Sequence, residues 1–372
     1  MRKFILCFGI ILILLCNSAA GYYADNHMQG ETETFRARVI EITENKEQVY
    51  EEAGIVIKTQ TADVKILNKQ YKGEVVEVIN NMSGNPAYDI VLKKGNLITV
   101  AMESGPEGEQ FFYVTGYERT RYIYQITGIF LALLIVIGGW KGLKSVVSLG
   151  VTFILIIFVM IPLLLRGISP IMVSVGICAA ATIITMMIIA GVNMKSFSAI
   201  LGTIGGITIG GSFAYLYGAL SNLTGLSSME AQMLMYIPQD IQFDFRGLLF
   251  AGILIGALGA AMDVSMSIAS ALTEMYNKVG YLSFKEVMKH GMNIGKDIMG
   301  TMSNTLILAY TGGALTLMLL FAAYARPISE IINLDFVAAE IIRSVAGSIG
   351  LLFAIPITAL SFALMQKKTK NQ

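Results

Sequence analysis

The sequence predicts an α-helical polytopic membrane protein, with about seven transmembrane helices after a signal sequence and a small all-β extracytoplasmic domain at the N-terminus. Three observations carry this. The 372 residues are 55% hydrophobic and only 14% charged, too apolar for an ordinary soluble chain. Hydropathy changes character near residue 122, from short alternating runs to runs of helical length. Lysines then gather at alternate ends of the long runs, as the positive-inside rule requires. The expected divisions are 1–20 as signal peptide or signal anchor, 21–121 as the β-rich domain and 122–372 as the transmembrane domain.

Arg2 and Lys3 precede the apolar run Phe4 to Cys16, which Asn17-Ser18-Ala19-Ala20-Gly21 follows. This is the charged, apolar, small-residue order of a secretory signal, and it delivers the downstream β-rich region outside the cytoplasm. Residues 31–120 then show six short runs rich in Val, Ile, Tyr and Phe. They are Thr34 to Ile42, Ala62 to Leu67, Tyr71 to Ile79, Tyr88 to Leu92, Leu97 to Met102 and Gln110 to Thr115. Turn residues such as Ser83-Gly84-Asn85-Pro86 and Lys94-Gly95-Asn96 separate them, so a small OB-like or SH3-like barrel is expected.

Seven runs follow: about 123–140, 145–165, 168–190, 197–220, 248–274, 297–324 and 344–365. Each approaches the roughly 20 residues that a helix needs to cross a bilayer. With the first run entering from outside, the inward connectors and tail hold Lys141, Lys144, Lys195, Lys278, Lys285, Lys289, Lys296, Lys367, Lys368 and Lys370. The outward connectors hold Arg166, Arg246, Arg326 and Arg343. A bacterial cell membrane protein with its C-terminus inside is the expectation. The outward connector from Ser221 to Arg246 includes an amphipathic piece around Met229 to Tyr236, suited to a membrane surface or a lid.

Several chemistries are excluded. Two histidines, in different halves, and cysteines confined to apolar runs leave no thiolate or histidine metal site, and no cofactor is expected. No Walker A, HExxH or GxSxG sequence occurs, which argues against an enzyme. Neither half carries the dense basic face of a nucleic-acid binder.

The candidate functional residues lie in the fifth and sixth runs. Asp263, Ser267, Ser270 and Glu274 recur at i, i+4, i+7 and i+11, one polar stripe within about 60° of arc on a helix. Asn293, Asp297, Gly300, Asn304 and Thr311 form a second stripe, with Thr301 beside it. A carboxylate at membrane depth costs about 3 kcal/mol, so Asp263 is expected to face a bundle interior, a partner or water. Two such stripes imply a buried polar seam. Asp263 would be its ion or proton site, Ser267, Ser270, Thr301 and Asn304 neutral ligands, and Glu274 with Asp297 the inner mouth, with Asn293 a further binding candidate on the second stripe.

Small residues at four-residue spacing, Gly202, Gly206 and Gly210 in the fourth run and Gly252, Gly256 and Ala260 in the fifth, predict that these two spans pack together. Pro356 predicts a kink in the last. Gly191-Val-Asn-Met-Lys before the fourth run resembles Gly291-Met-Asn-Ile-Gly-Lys before the sixth, suggesting a duplicated hairpin.

The stretches Met262 to Leu272 with Glu274, Gly291 to Gly313, Glu340-Ile-Ile-Arg-Ser, Gly347-Ser-Ile-Gly-Leu and Ile355-Pro-Ile-Thr-Ala resemble the YibE/F-like family of bacterial multi-pass membrane proteins. The resemblance covers about residues 120–365. It implies a cell membrane location and supplies no mechanism or site residues. The residues themselves favour a secondary transporter or permease for an ion or small solute. The alternative is a non-enzymatic envelope scaffold that docks a partner through the β domain. Besides the bilayer and the solute, a homo-oligomer or an envelope partner is expected, and no nucleic acid.

Overall fold

A computed structural model describes residues 33–50, 55–85, 87–104, 109–237, 241–280 and 282–370; the expected signal sequence lies outside them. The chain divides into two compact units, with Gly21–Leu133 as one and Leu134 onward the bulk of the other.

In the first unit, β1 (Glu33–Tyr50), β2 (Ile55–Ile66), β3 (Val75–Met82), β4 (Leu97–Ser104) and β5 (Gln110–Tyr117) close into a barrel in the order β1-β2-β3-β5-β4. All pairings are antiparallel except β3 with β5, which is the OB-type arrangement. Alternating residues fill the interior: Ala37 and Val39, Ala62 and Val64, Ile98 and Val100 are buried with Val78 and Leu92. Five strands stand where six were expected, because Tyr88 to Leu92 pairs with no strand. Its backbone is instead held by side chains: Asn80 Nδ2 donates to Ile90 O at 2.6 Å, and Leu92 N donates to Gln60 Oε1 at 2.8 Å. Two buried amides thus satisfy groups that a ladder would have paired.

Among the described residues, five helices are long and apolar enough to cross a membrane, or six if one bent pair is a single span; the first of them begins in the first unit and the rest lie in the second. The chain is a helical polytopic membrane protein carrying a small β domain. α1 (Thr120–Ile154) continues through a π-helical segment, Leu155–Met160, into α2 (Ile161–Leu165). The π turn immediately precedes Pro162, which lacks an N–H to donate. α3 is Pro170–Ala190, α4 Met194–Leu220 and α5 Met229–Met233. α6 (Phe245–Val279) and α7 (Phe284–Gly313) form an antiparallel hairpin, followed by α8 (Leu315–Ala323), α9 (Ile328–Ile332) and α10 (Asp335–Lys370).

The difference from seven expected spans lies in the 46 residues Thr120–Leu165, which count as one run. That run is broken at Gly139, where φ is 54° and ψ −132°. A Cβ on Gly142 would collide with the Leu134 carbonyl. In a straight helix those residues stand about 12 Å apart, so the chain folds back at Gly139. The two arms, of about 28 and 39 Å, match the first two apolar runs.

α10 is the central helix, and α4 is its closest partner. α4 and α6 do pack together as their small residues predict, and Gly202 faces Ser265 of α6 as well as Thr358, but the closest backbone approach of the α4 stripe is to α10. A Cβ on Gly206 would lie 2.5 Å from Gly350 O, and one on Gly210 would lie 2.7 Å from Ala346 O. Backbones in such contact gain dispersion over their whole length, the main attraction between helices in lipid. α6 meets α4 one residue round the helix, where Leu254 and Phe250 press on Gly211. The two similar motifs take different places in their helices. Asn193 caps α4, accepting from Ser196 N, whereas Asn293 lies inside α7, whose cap is Ser283.

Candidate functional site

α6 and α7 carry every residue of the two predicted stripes, and both helices are longer than those runs suggested. α6 holds 35 residues, about 52 Å against a hydrocarbon core of about 30 Å. α7 begins at Phe284, so Lys285, Lys289 and Lys296 of the inward connector stand on helix. Ser283 and Glu286 form a capping box that starts α7: Ser283 N donates to Glu286 Oε2 at 2.7 Å and Glu286 N to Ser283 Oγ at 3.3 Å.

Two contacts fix the register of the hairpin. Leu272 lies against Gly291, and the Tyr310 hydroxyl lies against Gly256. Asp263 is therefore level with Gly300 to Ser303, next to Asn304, and Ser267 with Lys296 to Met299. The stripes do share a depth, but they are not sealed between the helices. Asp263, Ser267, Glu274, Asn293, Asp297, Gly300, Thr301, Asn304 and Thr311 are all exposed, and Ser270 is half-buried. The expected buried seam is thus an open face. The physical reason is that Val264, Ile268 and Leu272, with Val287, Gly291 and Gly295, turn the other side of each helix onto Leu351, Ile355 and Ala359 of α10. Apolar packing takes one face, and polar residues are left on the opposite one.

On that face the side chains differ in what they hold. Ser270 Oγ donates to Met266 O at 2.6 Å and Thr301 Oγ1 to Ile298 O at 2.9 Å, so both hydroxyl protons are engaged within their own helices. Glu274 and Lys278 approach to 3.8 Å, a loose surface pair. Asp263, Ser267, Asn293, Asp297 and Asn304 make no side-chain hydrogen bond or ion pair with any described residue. Asp263 and Ser267, one turn apart, present two free oxygen ligands on the same side as Gly252, Gly256 and Gly259. A Cβ at Gly252 or Gly259 would meet nothing, so this stretch of α6 is a smooth trough with exposed backbone. Hard cations take oxygen ligands of this kind. Among the described residues no group of three or more His, Cys, Asp or Glu could hold a metal ion.

The structure also gathers residues that periodicity did not single out. α7 ends at Gly312-Gly313 and α8 leaves it at 59°, a sharp break in an apolar helical stretch. Between the break, α8, α9 and α10 lies a cavity of about 500 Å³. Its walls are mostly apolar, with Tyr310, Thr311, Arg326, Glu340 and Ser344 among them. Arg343 Nη1 pairs with Glu340 Oε1 at 2.7 Å, and its guanidinium stands over the Tyr310 ring at 5.9 Å. Tyr310 therefore touches the cavity with its ring and the glycine trough of α6 with its hydroxyl. The paired Gly312-Gly313 and the charged pair Glu340 and Arg343 ahead of the last apolar run are the signals the sequence offers. A second buried polar layer, Thr203, Ser265 and Thr358, sits where α4, α6 and α10 meet; Thr358 Oγ1 donates to Ala354 O at 2.7 Å, while Ser265 Oγ has no partner.

Comparison with known proteins bears on both units. The family description "YibE/F-like protein" matches residues 126–368, and "YibE/F family N-terminal domain" matches residues 31–117. No curated protein and no solved structure matches the chain.

Proposed function

Since the chain belongs to the YibE/F-like family of membrane proteins, we propose that it is a non-enzymatic secondary transporter or permease for an ion or small solute, built into a bacterial cell membrane. The barrel stands outside and the C-terminus inside. The observation that carries this is the pair Asp263 and Ser267, unpartnered among the described residues on an open face of α6 inside an apolar run. Lipid cannot solvate a carboxylate, so that face meets water, a solute or a second protein surface.

The path runs from the cavity at the α7–α8 break, past Tyr310, along the glycine trough to Asp263 and Ser267. It leaves by Glu274, Asn293 and Asp297. Broken helices beside binding sites are a recurrent transporter device, because the break exposes backbone groups that a continuous helix would consume. Asp263 is the ion or proton site, with Ser267, Thr301 and Asn304 as neutral ligands at its level.

Flux in proteoliposomes tests this, with protons, sodium and potassium scanned under an imposed gradient. Wild type is expected to conduct, and Asp263→Asn to lose about 100-fold, the loss typical of removing an essential charged ligand. Equal flux in the two proteins removes Asp263 from the path. A second reading, an envelope scaffold, draws on the exposed Val75, Ile79, Tyr88 and Phe111 of the barrel. It gains if neither protein conducts more than empty liposomes.

A further inference from the structure

The barrel carries a second site of different chemistry at the point where the chain passes toward the membrane. β5 ends at Tyr117 and Glu118 N donates to Leu97 O at 3.0 Å, so the exit is pinned to β4. Directly beyond it is a recess of about 390 Å³, lined by Arg38 of β1 together with Tyr117, Glu118, Arg119, Arg121 and Tyr122. The Arg119 guanidinium is held over the Tyr117 ring at 5.8 Å.

None of the three arginines pairs with Glu118 or with any other described carboxylate. Three guanidiniums line one recess that holds a single carboxylate, Glu118, with which none of them pairs; the excess positive charge calls for an anion with several acceptor oxygens, and phosphate matches their fork geometry. Glu118 makes the opposite demand. It is only 7% exposed, and its Oε1 is buried with no hydrogen-bond partner. A buried carboxylate oxygen without a donor is costly, and a primary ammonium would satisfy it. One ligand meets both demands: a phosphate ester that carries an ammonium group.

We infer that this recess binds the headgroup of a phosphoethanolamine lipid, its phosphate on Arg38, Arg119 and Arg121 and its ammonium on Glu118. The lipid source, and not a free phosphoethanolamine, follows from position. Tyr122 opens the first apolar run, and Tyr117, Tyr122 and Tyr124 cluster where aromatic residues mark the headgroup layer. Choline offers no N–H to Glu118, and a glycerol headgroup offers no cation.

The test is lipid retention by the full-length protein in detergent, read by native mass spectrometry at equal concentrations of phosphatidylethanolamine, phosphatidylcholine and phosphatidylglycerol. Wild type should prefer the ethanolamine lipid by about 10-fold over either competitor, the effect of one charge-assisted hydrogen bond. Glu118→Gln should bring the three lipids within about 2-fold of each other. Arg121→Gln, at an exposed position that does not endanger folding, should weaken the ethanolamine and glycerol lipids alike. Equal retention of ethanolamine and choline lipids by wild type overturns the assignment, as does undiminished retention in Arg121→Gln. Displacement of the lipid by an equal concentration of free phosphoethanolamine overturns the lipid source.

Discussion

Asp263 and Ser265 are two positions apart on α6 and have opposite fates. Asp263 is exposed and unpartnered, whereas Ser265 is wholly buried with an idle hydroxyl between α4 and α10. A helix turns about 200° over two residues, which is enough to exchange the open face for the core. Tyr310 joins the cavity and the glycine trough, and its roles can be separated. Tyr310→Phe keeps the ring under Arg343 but removes the hydroxyl from the trough. Flux should fall by about 10-fold, the worth of one functional hydrogen bond, without loss of folded protein. Tyr310→Ala should lose both contacts and lower the thermal unfolding temperature as well, because cutting back a half-buried aromatic ring costs about 3 kcal/mol. Unaltered flux in Tyr310→Phe would place the path elsewhere.

At the scale of elements, the α4–α10 contact and the start of α7 make separable predictions. Gly206 and Gly210 leave no room for a side chain against Gly350 and Ala346. Gly206→Leu is expected to cost about 3 kcal/mol or more, since the obstructing atoms are backbone and cannot rotate aside. Thermal unfolding in detergent would show it, with Gly252→Leu, on the open face of α6, as the control that changes little. The capping box of α7 is worth less: Ser283→Ala should cost about 1 kcal/mol, seen as faster hydrogen exchange over residues 284–290. The sequence announced small-residue contacts on α4 but not their closest partner, because spacing marks a face without saying what covers it. The same limit applies to Tyr88 to Leu92. Its strand-like composition is real, yet the buried amides of Gln60 and Asn80 hold its backbone in place of a neighbouring strand.

For the whole molecule, the proposed orientation makes a direct prediction. A cysteine at Ser83 in the barrel should react with a membrane-impermeant thiol reagent on intact cells, and one at Lys285 in the hairpin should react only after the cells are opened; the reverse pattern would invert the topology. Much of the architecture is legible in the amino-acid sequence. Hydropathy gives a β region followed by membrane helices, since period and run length are properties of the chain alone. The stripes on α6 and α7 are legible as stripes, since i, i+4 and i+7 positions share a face in any helix. Their setting is not. Whether a polar face is sealed or open depends on which neighbour claims the opposite side, and α10 lies more than 40 residues away in sequence from Leu272. Tertiary structure alone decided that the stripes lie open, that α4 packs on α10, that Tyr310 bridges a cavity and a trough, and that three arginines line one recess with a buried carboxylate at the barrel's exit. Local sequence determines what each segment can form, because backbone hydrogen bonding and side-chain period are short-range. Contacts between segments remote in sequence determine which faces meet, and chemistry belongs to the faces that remain.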